Sequence, residues 1–339
     1  MIMNVVFKAV RRPECRCLVL LCLLALPGTA HAVIVQGGHD VNGVADNSGR
    51  NLNAAPSGLS SYVGTFGNYL GTPIAPRYFI TANHIGNGFL QNTGVGTLTY
   101  SNGTATPTVY GATLAGAQND LAIWKIRDAG PAFSLYAPIY SGPGEMSQPL
   151  VVLGRGTARG SVVNSPTTLQ PGGWAWGAAD NATSWGTGTI ADIKTVTTPG
   201  FGGDQLKWAF NFDAAHPDTS ILSDGDSGGP VFVLNSTNSQ YQLAGISGLV
   251  DQVSASSDPN GTNPLRDALY DARGFYSGTQ QISDPQPVPL SSYASRLSSA
   301  SGFINATLVP EPSTIGLMLV GVSGTLTCRR RSKVSATAL

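Results

Sequence analysis

The sequence predicts an all-β fold, and three observations predict it. Short runs of β-branched and aromatic residues recur between turn formers, as in Thr97-Leu98-Thr99-Tyr100, Thr108-Val109-Tyr110 and Leu121-Ala122-Ile123-Trp124. Glycine and proline number 42 and 22 in a chain of 339 residues, which supplies many tight turns. Charged residues are only 11% of the chain, against roughly 25% in an average soluble domain. The surface is therefore polar but nearly neutral. Lys+Arg and Asp+Glu balance at 19 each, so charge gives no case for binding nucleic acid or an anionic membrane.

Taken in order, the chain opens with a secretory signal over residues 1–32. Lys8, Arg11, Arg12 and Arg16 form a basic start, Leu18 to Leu26 a short apolar core, and Ala30-His31-Ala32 a small-x-small cleavage site. The apolar run is far shorter than the ~20 residues a spanning helix needs. Residues 33–59 are polar and turn-rich, the composition of an irregular arm. Strand patterning begins at Ser61-Tyr62-Val63-Gly64-Thr65-Phe66 and resumes, after the Ala75-Pro76 turn, at Tyr78-Phe79-Ile80. Pro149 to Leu153 is a further strand, closed by Gly154-Arg155-Gly156. Its glycine spacing does not fit a dinucleotide loop, because the next glycine is Gly160 and no helix-forming run follows. Trp174, Trp176 and Trp185 fall among glycines and read as packing on a β edge. Residues 251–289 are polar and proline-containing, which predicts a surface insertion. Tyr293, Leu297, Ala300, Phe303 and Ile304 then recur every three or four residues, which predicts an amphipathic helix over Ser292 to Leu308 with serines to cap it.

The chemistry concentrates at Gly225-Asp226-Ser227-Gly228-Gly229-Pro230, followed by the apolar run Val231-Phe232-Val233-Leu234. Three glycines permit backbone conformations closed to other residues, so this is a shaped loop presenting one hydroxyl beside a core strand. A serine nucleophile needs a base to take its proton and N–H donors for the oxyanion it creates. Thr81-Ala82-Asn83-His84 and Asn119-Asp120-Leu121-Ala122-Ile123 supply a histidine and an aspartate upstream. In this order the three motifs resemble those of the chymotrypsin-like (trypsin-fold) serine proteases. Leu70 to Ile80 and Tyr241 to Gly248 resemble that family's hairpin before the histidine and its pocket-lining strand.

The resemblance implies two six-stranded antiparallel β-barrels with a C-terminal helix over residues 33–308. It implies Ser227 as nucleophile, His84 as general base and acid, Asp120 orienting His84, and the N–H groups of Gly225 and Ser227 as the oxyanion hole. The substrates would be proteins or peptides. Counting six residues back from Ser227 puts Ile221 at the base of the specificity pocket, with Leu222 beside it and Ser247 on the lining strand. An apolar floor disfavours Lys and Arg, although Asp224 is near enough in sequence to alter that. Val33-Ile34-Val35-Gln36-Gly37-Gly38 resembles the family's inserted N-terminus with one extra residue, and Asp226 stands where its partner acid would be. Residues 33–38 read either as that terminus or as part of the arm.

No cofactor is implied and no metal site, since His39, His84 and His216 are far apart in sequence and the body has no cysteine. Cys15, Cys17 and Cys22 belong to the leader, and Cys328 to the far end. The lack of disulfides favours a bacterial relative over an animal one. Gly225-Asp226-Ser227-Gly228-Gly229 also fits the Gly-x-Ser-x-Gly elbow of α/β-hydrolases, but those place their histidine after the serine and none follows Ser227 here. A catalytically silent, trypsin-folded surface or matrix-binding protein is the alternative from a different class. The retained His, Asp and Ser favour the enzyme.

Over residues 309–339, Pro310-Glu311-Pro312, the apolar Ile315 to Val322 and Arg329-Arg330-Arg331 follow one another. This order resembles the PEP-CTERM sorting signal of Gram-negative bacteria. It implies transient inner-membrane insertion, processing by an exosortase and a destination at the cell surface or in the extracellular matrix. The arginines would remain cytoplasmic, and the apolar segment is short for a stable span. A plain C-terminal anchor is the other reading.

Overall fold

A computed structural model describes residues 33–37, 39–41, 44–46, 51, 54–85, 94–127, 131–179 and 182–308. The proposed signal peptide and sorting signal, including the apolar segment at 315–322, lie outside the described residues. Among the described residues no helix is long and apolar enough to cross a membrane.

The first half is a closed six-stranded antiparallel barrel. Around it run Gly64–Phe66, Tyr69–Ala75, Tyr78–Ala82, Leu121–Ile126, Thr108–Gln118 and Val95–Tyr100, and Thr65 pairs with Thr99 to close it. Closure leaves no open sheet edge, and alternate side chains fill the interior. Phe66 lies 4.9 Å from the Trp124 ring and 5.2 Å from the Phe79 ring, all three buried. Such pairs contribute about 0.5–1.5 kcal/mol each beyond area burial. Gly71 carries no side chain because a Cβ there would stand 2.9 Å from both Leu98 and Phe79.

The second half differs from the expected second barrel. It is a seven-stranded antiparallel sheet in the order Ser184–Thr189, Pro149–Gly154, Pro230–Asn235, Gln240–Val250, Ser291–Arg296, Gly203–Ala209, Asp192–Val196, with no closing ladder among the described residues. A separate three-stranded sheet joins Thr157–Asn164, Pro171–Ala179 and Asp267–Leu269.

Two further expectations are corrected. The predicted helix over Ser292 to Leu308 is a strand, Ser291–Arg296, then a short 3-10 turn and a helix only over Ser301–Leu308. Ser292, Ala294 and Ser295 are buried between Gly203–Ala209 and Gln240–Val250, where only small side chains fit. Sheet pairing overrode the helical period. The 251–289 segment is no mere surface insertion either. Val253, Ala268, Leu269, Ala272 and Phe275 are buried in a cluster with Ile34, Phe210 and Ile221.

The connection between the halves is fastened to the C-terminal strand by Glu145. Its fully buried carboxylate takes two hydrogen bonds from Arg296, at 2.9 and 2.8 Å, and one from Ser298. Burial would raise the Glu145 carboxyl, but the Arg296 and Ser298 hydrogen bonds outweigh it and hold it below its ordinary value.

Candidate active site

The antiparallel ladder between Tyr78–Ala82 and Leu121–Ile126 ends at the pair Ala82–Leu121. His84 and Asp120 stand just beyond that last rung, so the barrel's register delivers them side by side. Asn119 makes the tight turn before Asp120 at φ 52°, a left-handed conformation that asparagine tolerates. The Asn83 N–H donates to the Asp120 carbonyl at 3.0 Å and the Asn83 amide to the Asn119 carbonyl at 3.2 Å. The Asn-His and Asn-Asp pairs thus hold each other through backbone and side chain.

Asp120 is 1% exposed. Its Oδ1 accepts the His84 backbone N–H at 3.0 Å and lies 2.8 Å from His84 Nδ1. His84 Nε2 is 2.7 Å from the Ser227 Oγ. With Nδ1–H committed to the carboxylate, Nε2 carries the lone pair that faces the hydroxyl. Oδ2 accepts no hydrogen bond among the described residues and faces Gly248, where an added Cβ would stand 2.5 Å away. The Phe201 ring, from the Thr-Pro-Gly-Phe turn before Gly203–Ala209, sits 5.0 Å from the imidazole at an angle of 43°. The sequence reading passed over Phe201, though a large aromatic residue in a glycine-rich turn is a usable signal.

Ser227 is held from the second half. Gly228 donates to the Ser247 carbonyl at 2.9 Å, and Ser247 N–H donates to the Gly229 carbonyl at 2.8 Å. Gly228 adopts φ 80°, and a Cβ there would strike Thr81 Oγ1 at 2.3 Å. Gly225 adopts φ 95°. Among the described residues the N–H groups of Gly225 and Ser227 meet no protein acceptor, which leaves two donors beside the hydroxyl.

Asp226 faces away from Ser227 into the protein. Its carboxylate accepts Val33 N–H at 3.1 and 3.3 Å, Gly156 N–H at 2.8 Å, Ser223 N–H at 2.7 Å and Ser223 Oγ–H at 2.9 Å. Burial pushes this carboxyl up to about 6, because its donors are all uncharged. Gly154 and Gly156 make the space, since a Cβ at either would come within 3 Å of the carboxylate, at 2.1 Å from Oδ1 and 2.9 Å from Cγ. That is the use of the Gly-Arg-Gly motif. Val33, Ile34 and Val35 are fully buried, and Ile34–Val35 pair with Ser220–Ile221. Between the two readings of residues 33–38, the described part is an inserted strand with Val33, not Ile34, at the acid. The extra residue is absorbed there.

The two expected pocket residues are not in the cavity wall. Ile221 is fully buried and its backbone pairs with Ile34. Ser247 is fully buried and its Oγ has no partner. A bulge between Ser247 and Leu249 turns Gly248 outward instead. A cavity of about 240 Å³ is walled by Leu222, Ser223 and Asp224, just before the Ser227 loop, and by Gly248, Leu249 and Val250, just after Ser247, whose backbone pairs with Gly228 and Gly229. Ser292 Oγ accepts the Leu222 N–H at 2.9 Å, which seals Ile221 behind it.

Elsewhere, His216 Nδ1 lies 2.6 Å from Asp213 Oδ2 on the surface. Among the described residues no group of three or more His, Cys, Asp or Glu side chains gathers.

No curated protein matches the chain. Among solved structures it is similar to the Rv3671c protease of M. tuberculosis H37Rv in two inactive forms. One, the Ser343Ala mutant, gives 13% identity, TM-score 0.41 and coverage of 77% of this chain and 95% of that one. The other gives 13% identity, TM-score 0.39 and coverage of 75% and 93%. Deg5 is similar at 13% identity and TM-score 0.38, over 56% of this chain and 80% of its own. Residues 308–331 match the PEP-CTERM protein-sorting motif, a signal of export and membrane-associated sorting in Gram-negative bacteria.

Proposed function

We propose that the chain is an exported serine endopeptidase that cleaves proteins or peptides through an acyl-enzyme. The observation that carries this is His84, bridging a buried carboxylate at 2.8 Å and a serine hydroxyl at 2.7 Å. As the Ser227 oxygen attacks a peptide carbonyl, its proton passes to His84 Nε2. The imidazolium so formed is stabilised by Asp120, which keeps its own negative charge. The carbonyl oxygen becomes an oxyanion within reach of the Gly225 and Ser227 N–H groups. His84 then protonates the leaving amine, and a water molecule, activated by the same imidazole, releases the acyl group.

The body spans residues 33–308, between a leader at 1–32 removed by signal peptidase and a sorting segment at 309–339 processed by an exosortase-type enzyme. Transient inner-membrane insertion through that segment would precede release to the cell surface or matrix. The leader cut has a second consequence. With Ala32 attached, Val33 holds φ 46°, a left-handed conformation that disfavours a β-branched residue and costs on the order of 1–3 kcal/mol. That torsion includes the Ala32 carbonyl carbon, so cleavage after Ala32 abolishes it. The same cleavage turns the amide facing Asp226 into an ammonium.

The test is to incubate the purified protein, cut after Ala32, and its Ser227→Ala variant with a fluorophosphonate probe and a peptide library. Labelling and cleavage only in the wild type are expected. A wild-type chain that is neither labelled nor active would be a silent, trypsin-folded surface or matrix-binding protein.

A further inference from the structure

The 251–289 segment reaches the cavity near Ser227 through Gln252 and Arg266, and only Arg266 brings a charge. Arg266 precedes the Asp267–Leu269 strand, and its carbonyl accepts the Trp176 N–H at 2.7 Å, which fixes its backbone at the rim. From there its guanidinium meets Asp224 Oδ2 at 2.5 Å. Asp224 lies three residues before Ser227 and is part of the wall, as is Arg266. Both side chains stay more than half exposed, at 57% and 68%, so each remains open to an incoming substrate group.

The rest of the wall carries no charge, with Leu222, Leu249, Val250 and Trp176 beside Ser223, Gly248 and Gln252. An unpaired Asp224 in such a wall would attract a substrate cation, and an unpaired Arg266 a substrate carboxylate. Paired, they cancel, and the cavity presents uncharged walls under a neutral rim. Resting on the protease reading, we propose that Arg266 is a specificity-determining residue. By neutralising Asp224 it makes the enzyme select an uncharged apolar residue before the scissile bond and turn away both Lys/Arg and Asp/Glu. The inserted segment is then part of the substrate site, not an ornament on the surface. An exposed ion pair is weak and loosened by salt, so the discrimination it imposes is modest and can be shifted by single changes.

Three fluorogenic peptides that differ only in the residue before the cleaved bond, Leu, Lys or Glu, read this directly with the protein cut after Ala32. The wild type is expected to prefer Leu. In Arg266→Ala the kcat/KM ratio of Lys to Leu should rise about tenfold, and in Asp224→Asn the ratio of Glu to Leu should rise by a similar factor. Arg266→Lys keeps the cation and should keep the wild-type profile. The double variant Asp224→Asn/Arg266→Ala removes both charges and should return the Leu preference. Because each readout is a ratio within one protein, a partly unfolded variant does not mimic it. Ratios that stay within twofold of wild type in both single variants overturn the proposal while leaving the protease reading intact. A wild type that cleaves none of the peptides and takes no fluorophosphonate overturns both.

Discussion

The molecule contains two buried aspartates beside one another in function, and they are held in opposite ways. Asp120 is placed by its own neighbourhood. The Ala82–Leu121 rung, the Asn119 turn and His84 all belong to the first barrel, and the most distant partner on the carboxylate is 36 residues away. Asp226 is held by Ser223, three residues before it, and also by remote pieces. Gly156 is 70 residues away and Val33 is 193. The contacts that hold the proposed base side are thus short in sequence, whereas those on the loop of the proposed nucleophile include the far end of the described chain.

The contrast between the two aspartates can be tested by substitution, by processing and by pH. The largest effect belongs to the point where the two sides meet. Ser227→Ala and His84→Ala should each lower kcat by roughly 10⁴–10⁶, and the double variant by little more, because the residues act as one unit. Additive losses in the double variant would mean that the two halves contribute separately.

Next comes the remote side. A chain that retains residues before Val33 must bury an amide where the cut chain buries an ammonium. Losing one partner of a buried pair costs about 3–5 kcal/mol, so kcat should fall about 10²–10⁴-fold, and Asp226→Asn should reproduce it. Equal kcat in cut and uncut chains would show that the inserted strand is only structural.

The third experiment is thermal stability against pH. Asp226 is pushed up from 3.8 to about 6 while its donors are uncharged. A raised carboxyl favours the folded state in acid. That stability is fully present below about 3.8 and is lost as pH rises through about 6. The loss amounts to about 3 kcal/mol, at roughly 1.4 kcal/mol per pKa unit. The uncut chain should show this fall in Tm between those limits, and the cut chain, with its ammonium on Asp226, should lack it. Parallel Tm profiles would contradict the pairing.

The smallest effect probes the local side. In Gly248→Ala the new Cβ would stand 2.5 Å from Asp120 Oδ2, so the carboxylate must shift from His84. A displacement of this size should lower kcat about ten- to a hundredfold with Tm little affected. An unchanged kcat would mean that the Asp120 carboxylate keeps its place against His84 despite the added methyl.

How far the site was legible follows the same division. His84, Asp120 and the Ser227 loop were found from motifs of a few residues, because turn glycines, an asparagine in a left-handed turn and an apolar strand after the loop are local constraints. Ile221 and Ser247, chosen by a count and a motif, are fully buried and stand outside the wall of the cavity described above. The register shift after Ser247 leaves Gly248 half-buried at that wall, and Ile221 pairs with Ile34 in the core. The Tyr293 to Ile304 period was real, yet Ser291–Arg296 formed a strand because two neighbouring strands offered a ladder that only small residues could enter.

What the sequence determined by itself is therefore the chemistry: a serine on a glycine loop, with a histidine and an aspartate on either side of a barrel rung. The three apolar residues that follow Ala32 also admit burial. Which side chains wall the cavity, and that Arg266 reaches Asp224, came from the folded arrangement alone. The reason is physical. Backbone conformation and hydrogen bonding within a turn depend on a handful of adjacent residues, whereas desolvation and charge pairing depend on groups brought together from 42 to 193 residues apart.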